Sequence, residues 1–150
     1  MRPLAHVVTS GIISAFVWAY FRSFGCAAVS FFAGVFIDLD HLFDYYTQHK
    51  FTLSLKRIYC ACLRIRFKRL YLLAHSYELI AALWIAIWAF SLSNAWKALA
   101  VGITQHLVFD QITNPINTFG YFLTYRILKG FRKELILQND LTMEVKGCPR

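Results

Sequence analysis

Apolar residues along the chain fall into long blocks, each cut off by a charge or a polar pair. Val7 to Phe21 stops at Arg22, Phe24 to Ile37 at Asp38, Leu79 to Leu92 at Ser93-Asn94, and Ala98 to Phe109 at Asp110. Within a block most positions are apolar, so the pattern predicts helices that are hydrophobic nearly all round. Such helices belong in a bilayer or a large core. Each run is shorter than the ~20 apolar residues of a transmembrane helix. Extension through the flanking His, Ser, Thr or Glu restores a span, and it places those polar groups within or at the edge of the hydrocarbon.

The expected elements follow from these blocks and their punctuation. Pro3 suits a first helical turn, so a first helix runs to Phe21. Ser23-Phe24-Gly25 breaks the chain before a second helix from Cys26 to Ile37, which ends in Asp38-Leu39-Asp40-His41. A third helix is expected from Leu70 to Leu92, and a fourth from Ala95 to Ile112. Asn114 closes the fourth, because a residue before proline is biased away from the α region. Residues 117–131 read as a further, partly embedded helix. Residues 1–133 then form a single membrane-embedded domain, and 134–150 a polar C-terminal tail.

Composition strengthens the membrane reading. Of 150 residues, 58% are hydrophobic and 16% charged, against about 25% charged in soluble domains. A water-soluble domain of this size has too much surface to hide so many Phe, Trp and Leu side chains. The fold class expected is all-α, a multi-helix integral membrane bundle; a soluble helical bundle with a thick core is the alternative.

Net charge is +8, and the excess is concentrated. Lys50, Lys56, Arg57, Arg64, Arg66, Lys68 and Arg69 interleave with Leu53, Leu55, Ile58, Leu63 and Phe67. This predicts a basic interfacial helix across Lys50 to Arg69, its cations toward anionic lipid headgroups and its apolar face in the acyl boundary. The positive-inside tendency puts it on the cytoplasmic side. Basic patches also suit nucleic acid, but the chain contains no recognition module, and no nucleic-acid partner is expected. The cysteines include one Cys-Ala-Cys, at 60 and 62, and no second pair at zinc-ribbon spacing, so they read as small apolar residues.

Chemistry is confined to a few positions. Ionisable groups in apolar helices cost about 2.5 to 3.5 kcal/mol each on insertion scales, so they tend to pair and to mark functional sites. They recur near the ends of the hydrophobic runs: His6, Asp38 with Asp40 and His41, His75 with Glu78, and His106 with Asp110. His106 and Asp110 are i and i+4, on one face of a helix, where an imidazole and a carboxylate reach one ion. A bundle gathering these clusters at one depth gives a metal set of His6, Asp38, His41, His75, His106 and Asp110, as helix-borne ligands do in carboxylate-bridged bundles. Asp40 and Glu78 are the candidate proton acceptors, or second-sphere partners of the ligand imidazoles. Mixed His and carboxylate ligands suit a divalent metal, Zn²⁺ first and Mn²⁺ or Fe²⁺ next. The competing account makes His106 and Asp110 a buried hydrogen-bonded pair that holds two helices. Asp44 and His49 lie in a more polar stretch and read as solvated.

These residues, in this order, resemble a family of bacterial membrane-bound predicted metal-dependent hydrolases. The resemblance rests on the early His6, Asp38-Leu39-Asp40-His41, His75-Ser76, and Gly102 through His106 to Asp110, and it covers most of residues 1–115. A more distant similarity, to zinc-dependent phospholipase C, rests on the His-x-x-x-Asp pair and the order of ligands. The family's usual proline before the first Asp is Ile37 here, and the His-Arg that commonly precedes the His-Ser element is absent around Arg69 to Tyr71. The resemblance implies a hydrolase of the bacterial cytoplasmic membrane, acting on a lipid or lipid-linked ester, plausibly a phosphoester, through a metal-activated water. The rival is a non-catalytic membrane protein whose His/Asp clusters carry ions or protons, or fix helix packing.

Overall fold

The computed structural model describes residues 3–49, 51–63 and 67–137. Regular structure among them is helical, with two isolated bridges, Arg69 to Arg132 and Ile116 to Leu137, as the extended pairings. The chain divides into two compact units. One comprises Met1–Ile37 with Ala74–Asn114, and the other Asp38–Leu73 with Pro115–Arg150.

The first unit holds four helices: α1 (Pro3–Phe21), α2 (Phe24–Phe36), α5 (Tyr77–Ala89) and α6 (Asn94–Thr113). Arg22 ends α1 by taking a left-handed φ of 52° while its N–H still bonds the Trp18 carbonyl. Extended Ser23 then caps α2, its hydroxyl accepting the Cys26 N–H. The expected third helix is shorter than the apolar pattern suggests. It starts at Tyr77 because Leu72 turns at a positive φ and Ser76 caps the helix through the Leu79 N–H. It closes at Ser91, φ 48°, with the Leu92 N–H bonded to the Ile87 carbonyl. α6 ends at Thr113, and Asn114 is extended before Pro115, as expected.

Helix α6 is the centre of this unit and packs on α2, α1 and α5. The buried face mixes apolar residues, Val17, Ile80, Ile87 and Leu107 among them, with small and polar ones, while many large apolar side chains are exposed. α1 buries His6, Ser10 and Ser14 at i, i+4 spacing and exposes Leu4, Val8, Ile12 and Phe16. α2 buries Ser30 and Gly34 and exposes Phe32 and Phe36. α6 buries Ala98, Gly102, His106 and Asp110 and exposes Val108 and Ile112. Small residues let the backbones approach closely, as in lipid-embedded interfaces. A Cβ built on Gly102 would lie 2.3 Å from the Ser30 carbonyl oxygen, so the α2 and α6 backbones all but touch there.

Two stretches, Leu4–Phe21 and Phe24–Gln48, are long and apolar enough to cross a membrane, and only 22% and 28% of the most apolar 18-residue window in each is buried. The second continues from α2 through a 3₁₀ turn, Ile37–Leu39, into α3 (Asp40–Gln48).

The second unit contains α3, α4 (Leu55–Leu63), a 3₁₀ turn at Thr118–Tyr121, α7 (Leu123–Leu128) and α8 (Lys133–Ile136). Among the described residues of the basic segment, α4 is the helical part, and there Lys56 and Arg57 are exposed; Lys50, Arg64 and Arg66 lie outside the described residues. Beyond α4, the backbone of Lys68 and Arg69 is held by Gln48. Its Oε1 accepts both N–H groups at 2.8 Å and its Nε2 donates to the Arg69 carbonyl. That grip, with the bridge to Arg132, keeps this stretch extended.

Asp44, expected in solvent, is fully buried. It accepts the Tyr71 N–H at 3.0 Å while buried Arg126 donates to the Leu72 carbonyl at 2.6 Å, so two adjacent backbone groups of one turn are fixed by opposite charges. His49 is half-buried and stacks on Tyr45. In place of one long helix, residues 117–131 carry the 3₁₀ turn and α7, ended by Gly130 at φ 61°. Ile136, placed by the sequence pattern in the tail, is fully buried beside the Ile116 to Leu137 bridge. Residues 138–150 lie outside the described part.

Candidate metal centre

His106 and Asp110 project one turn apart from α6, His6 from the first turns of α1, and His75 from the residue before the Ser76 cap of α5. All four side chains belong to the first unit and are 0 to 2% exposed. The stripe of small and polar residues on α1 turns His6 inward, and the close α2–α6 contact brings the Gly34 carbonyl against His106.

That carbonyl fixes the tautomer. It only accepts, so the His106 Nδ1, 2.7 Å away, is the donor and carries the proton. In the neutral ring, Nε2 is left with its lone pair facing the unit's interior. A backbone carbonyl behind a ligand imidazole is the usual outer partner of a metal-bound histidine.

Three side-chain atoms of the kind that bind metals meet there. His106 Nε2 is 3.3 Å from His75 Nε2 and 3.5 Å from Asp110 Oδ2, and His75 Nε2 is 3.6 Å from the same oxygen. A tetrahedral ion with ligands at 2.0–2.1 Å separates them by about 3.3–3.5 Å. The triangle therefore matches one face of such a polyhedron, and a buried His/Asp group that can hold a metal ion is present. Two imidazoles and one carboxylate are donors of the kind that divalent metals such as zinc take.

His6 stands behind Asp110. Its Nε2 is 3.1 Å from Oδ1, the oxygen turned away from the other two histidines, and its ring stacks on His106 with centroids 4.3 Å apart. Neither His6 nitrogen nor Asp110 Oδ1 has a well-aligned hydrogen-bond partner among the described residues. Buried polar atoms close together yet misaligned fit a cluster built around a cation. His6 is placed to hold the orientation of the carboxylate. His6→Ala is expected to weaken binding of a divalent ion at this cluster about 10- to 100-fold without abolishing it, the usual cost of losing an outer-sphere partner. Competition titration with a zinc-sensitive dye measures this; an unchanged affinity would remove the positioning role.

Glu78 lies in the first turn of α5 and its Oε2 accepts the Ser76 hydroxyl at 2.7 Å. Asp38, Asp40 and His41 belong to the second unit. There His41 Nε2 lies 3.5 Å from Asp38 Oδ1, an i, i+3 pair, as the spacing predicts, and Asp40 opens α3. Burial first, then the carboxylates of Asp44 and Asp38, push the Cys62 thiol up to about 12, so it is protonated at neutral pH and offers no thiolate.

Supporting residues emerge that the sequence pattern does not single out. Gln105 joins α6 to α1, accepting from Ser10 at 3.1 Å and donating to Thr9 at 3.3 Å. Trp84 donates to Thr104, and the Tyr77 hydroxyl donates to Gln111, tying α5 to α6 on either side of His106 in sequence. The only sequence signal for the α2–α6 approach is the pairing of Ser30-x-x-x-Gly34 with Gly102-x-x-x-His106. No family model, curated protein or solved structure matches the chain.

Proposed function

We propose that the chain is a metal-dependent hydrolase of the bacterial cytoplasmic membrane, acting on a lipid or lipid-linked ester, most simply a phosphoester. The single observation that carries the reading is the triangle of His75, His106 and Asp110, with edges of 3.3 to 3.6 Å, behind which the Gly34 carbonyl sets the tautomer of His106. Embedding in lipid is supported by the large apolar side chains that the helices expose, Leu4, Ile12, Phe16, Phe32 and Ile112 among them, since water penalises such faces. Exposed Lys56 and Arg57 on α4 suit contact with anionic headgroups.

His75, His106 and Asp110 would hold the ion, with Zn²⁺ the first choice for this donor set. An ion held there would supply a water of near-neutral pKa and polarise the bond under attack. His106 is held as a lone-pair donor by Gly34, and Asp110 is steadied by His6. Glu78 is the carboxylate of this unit proposed to take up a proton, with Ser76 fixing one of its oxygens. Asp40 remains with the second unit.

The purified protein in detergent is expected to hydrolyse bis(p-nitrophenyl) phosphate, to lose turnover on chelation and to regain it with added zinc. His106→Ala is expected to be inactive with its helical circular dichroism intact. Zinc-loaded protein that lacks turnover on ester substrates would sink the hydrolase reading. A second reading rests on the same 3.3 Å between the His75 and His106 nitrogens: one protonated nitrogen would make it a hydrogen bond, and the cluster a metal-free lock between α5 and α6.

A further inference from the structure

Two basic stretches far apart in the chain meet within the second unit. The bridge between Arg69 and Arg132 is antiparallel and is flanked by two backbone bonds, from the Leu70 N–H to the Phe131 carbonyl at 2.9 Å and from the Lys133 N–H to the Lys68 carbonyl at 3.2 Å. That pattern makes Arg69 and Arg132 a non-hydrogen-bonded pair, the kind whose Cα atoms lie about 4.5 Å apart and whose side chains leave the same face. Both residues are exposed. Among the described residues neither guanidinium has an ion pair or a hydrogen bond, and Glu134, two positions after Arg132, pairs with neither. Like charges directly opposite one another on paired strands repel and destabilise. The backbone therefore holds together what the side chains push apart, helped by the Gln48 grip on Lys68 and Arg69 and by the Tyr71 and Phe131 rings, packed at 4.9 Å between centroids.

We propose that Arg69 and Arg132 form a two-pronged site for the phosphate of an anionic lipid headgroup, which docks the second unit on the membrane surface. The side chains select the ligand. Two planar guanidinium forks side by side match the several oxygens of a phosphate, each fork taking them bidentately, and an anion between the forks replaces their repulsion with attraction. Exposed Lys68 and half-buried Lys133 adjoin the pair in the chain and add to the positive field. Depth selects a lipid over free phosphate. Gln48, which fixes the backbone of Lys68 and Arg69, is the last residue of the membrane-length stretch Phe24–Gln48, so the pair is held where such a stretch reaches the headgroups. Just ahead of Arg132 in the chain, Ile127 and Leu128 are 56% and 83% exposed and give acyl chains an apolar contact, the combination of cations and large apolar side chains that interfacial segments use. The proposal stands on the second unit alone and does not depend on the metal centre.

Native mass spectrometry of the full chain in a neutral detergent, titrated with dioleoyl phosphatidylglycerol, tests this. The wild type is expected to hold one such lipid, and Arg69→Gln and Arg132→Gln each to weaken it about 10- to 100-fold, the worth of a hydrogen bond to a charged group. Lys129→Gln removes the same charge from the same unit, where the Lys129 ammonium sits over the Tyr125 ring at 5.6 Å, and is expected to bind as the wild type does. Equal losses in Lys129→Gln and the arginine variants overturn the proposal in favour of a diffuse basic surface. Stability gives a second readout. Without lipid, Arg132→Gln is expected to raise the unfolding midpoint by removing the like-charge pair, and with phosphatidylglycerol to lack the rise that the wild type shows. A midpoint that falls without lipid in both arginine variants gives the pair a structural role and overturns the proposal. Inorganic phosphate that raises the wild-type midpoint as far as phosphatidylglycerol does, at equal concentration, overturns the lipid assignment, and so does phosphatidylcholine bound as tightly as phosphatidylglycerol.

Discussion

Gly102→Ala is expected to destabilise the protein by about 3 kcal/mol or more, at or beyond the top of the usual range for overpacking. The new methyl would sit 2.3 Å from the Ser30 carbonyl oxygen, 3.0 Å from its carbon and 3.2 Å from the Ala33 Cβ. Two of those three atoms are backbone, so no rotamer change relieves the clash and α2 must move away from α6. The movement has a second consequence. Gly34, which accepts the His106 Nδ1 proton, lies on the same stretch of α2, and a Cβ on Gly34 would itself meet the Gly102 carbonyl at 3.2 Å. Separation of the helices therefore withdraws the carbonyl that sets the tautomer. Thermal unfolding followed by circular dichroism should show a lowered midpoint, and zinc affinity should fall alongside it. Gly11→Ala is the control, because a Cβ there meets nothing within 4 Å. Equal midpoints for the two variants would mean that the close approach does not hold the unit together.

Asp110→Asn is expected to remove metal binding, with an affinity loss greater than the ~100-fold upper bound for outer-sphere partners. Asn keeps the shape and one carbonyl oxygen but loses the charge. Asp110 is the carboxylate of the triangle and is approached by His6, His75 and His106 at 3.1 to 3.6 Å. Neutral imidazoles alone offset a divalent ion poorly in a site this buried. The loss should appear as stability too. A ligand at a hundred times its Kd stabilises the folded state by about 2.7 kcal/mol, so zinc should raise the unfolding midpoint of the wild type and leave that of Asp110→Asn where it was. A zinc-dependent midpoint in the variant would place the ion elsewhere.

The helices of the first unit were legible because their apolar blocks end at strong local signals: Arg22-Ser23, Ser93-Asn94 and Asn114-Pro115 each mark a boundary that the structure keeps. The start of α5 was not legible. Leu70 to Leu73 are as apolar as the helix that follows, and what stops them from joining it is tertiary: the Asp44 carboxylate and the Arg126 guanidinium fix the backbone of Tyr71 and Leu72. Asp44 itself misled for the same reason, since a carboxylate in a polar stretch gives no local sign of a backbone partner 27 residues away.

Among the candidate ligands, the i, i+4 spacing of His106 and Asp110 and the i, i+3 spacing of Asp38 and His41 are visible on any helix, and both pairs form. That His75 joins the former depends on the packing of α5 against α6. The part played by Gly34 is invisible, because a backbone carbonyl leaves no residue-type signature. Likewise, the sequence marks His6 as polar within an apolar helix, yet only the packing of α1 puts it on the far oxygen of Asp110.

The most direct measurement is the zinc content per chain of the wild-type protein, extracted in mild detergent without chelators, dialysed against zinc and washed, with Asp110→Asn treated in parallel. The arrangement of His75, His106 and Asp110 predicts close to one ion per wild-type chain and almost none in the variant. Wild-type protein that emerges folded and metal-free would contradict a metal centre and leave the cluster as a hydrogen-bonded lock between helices.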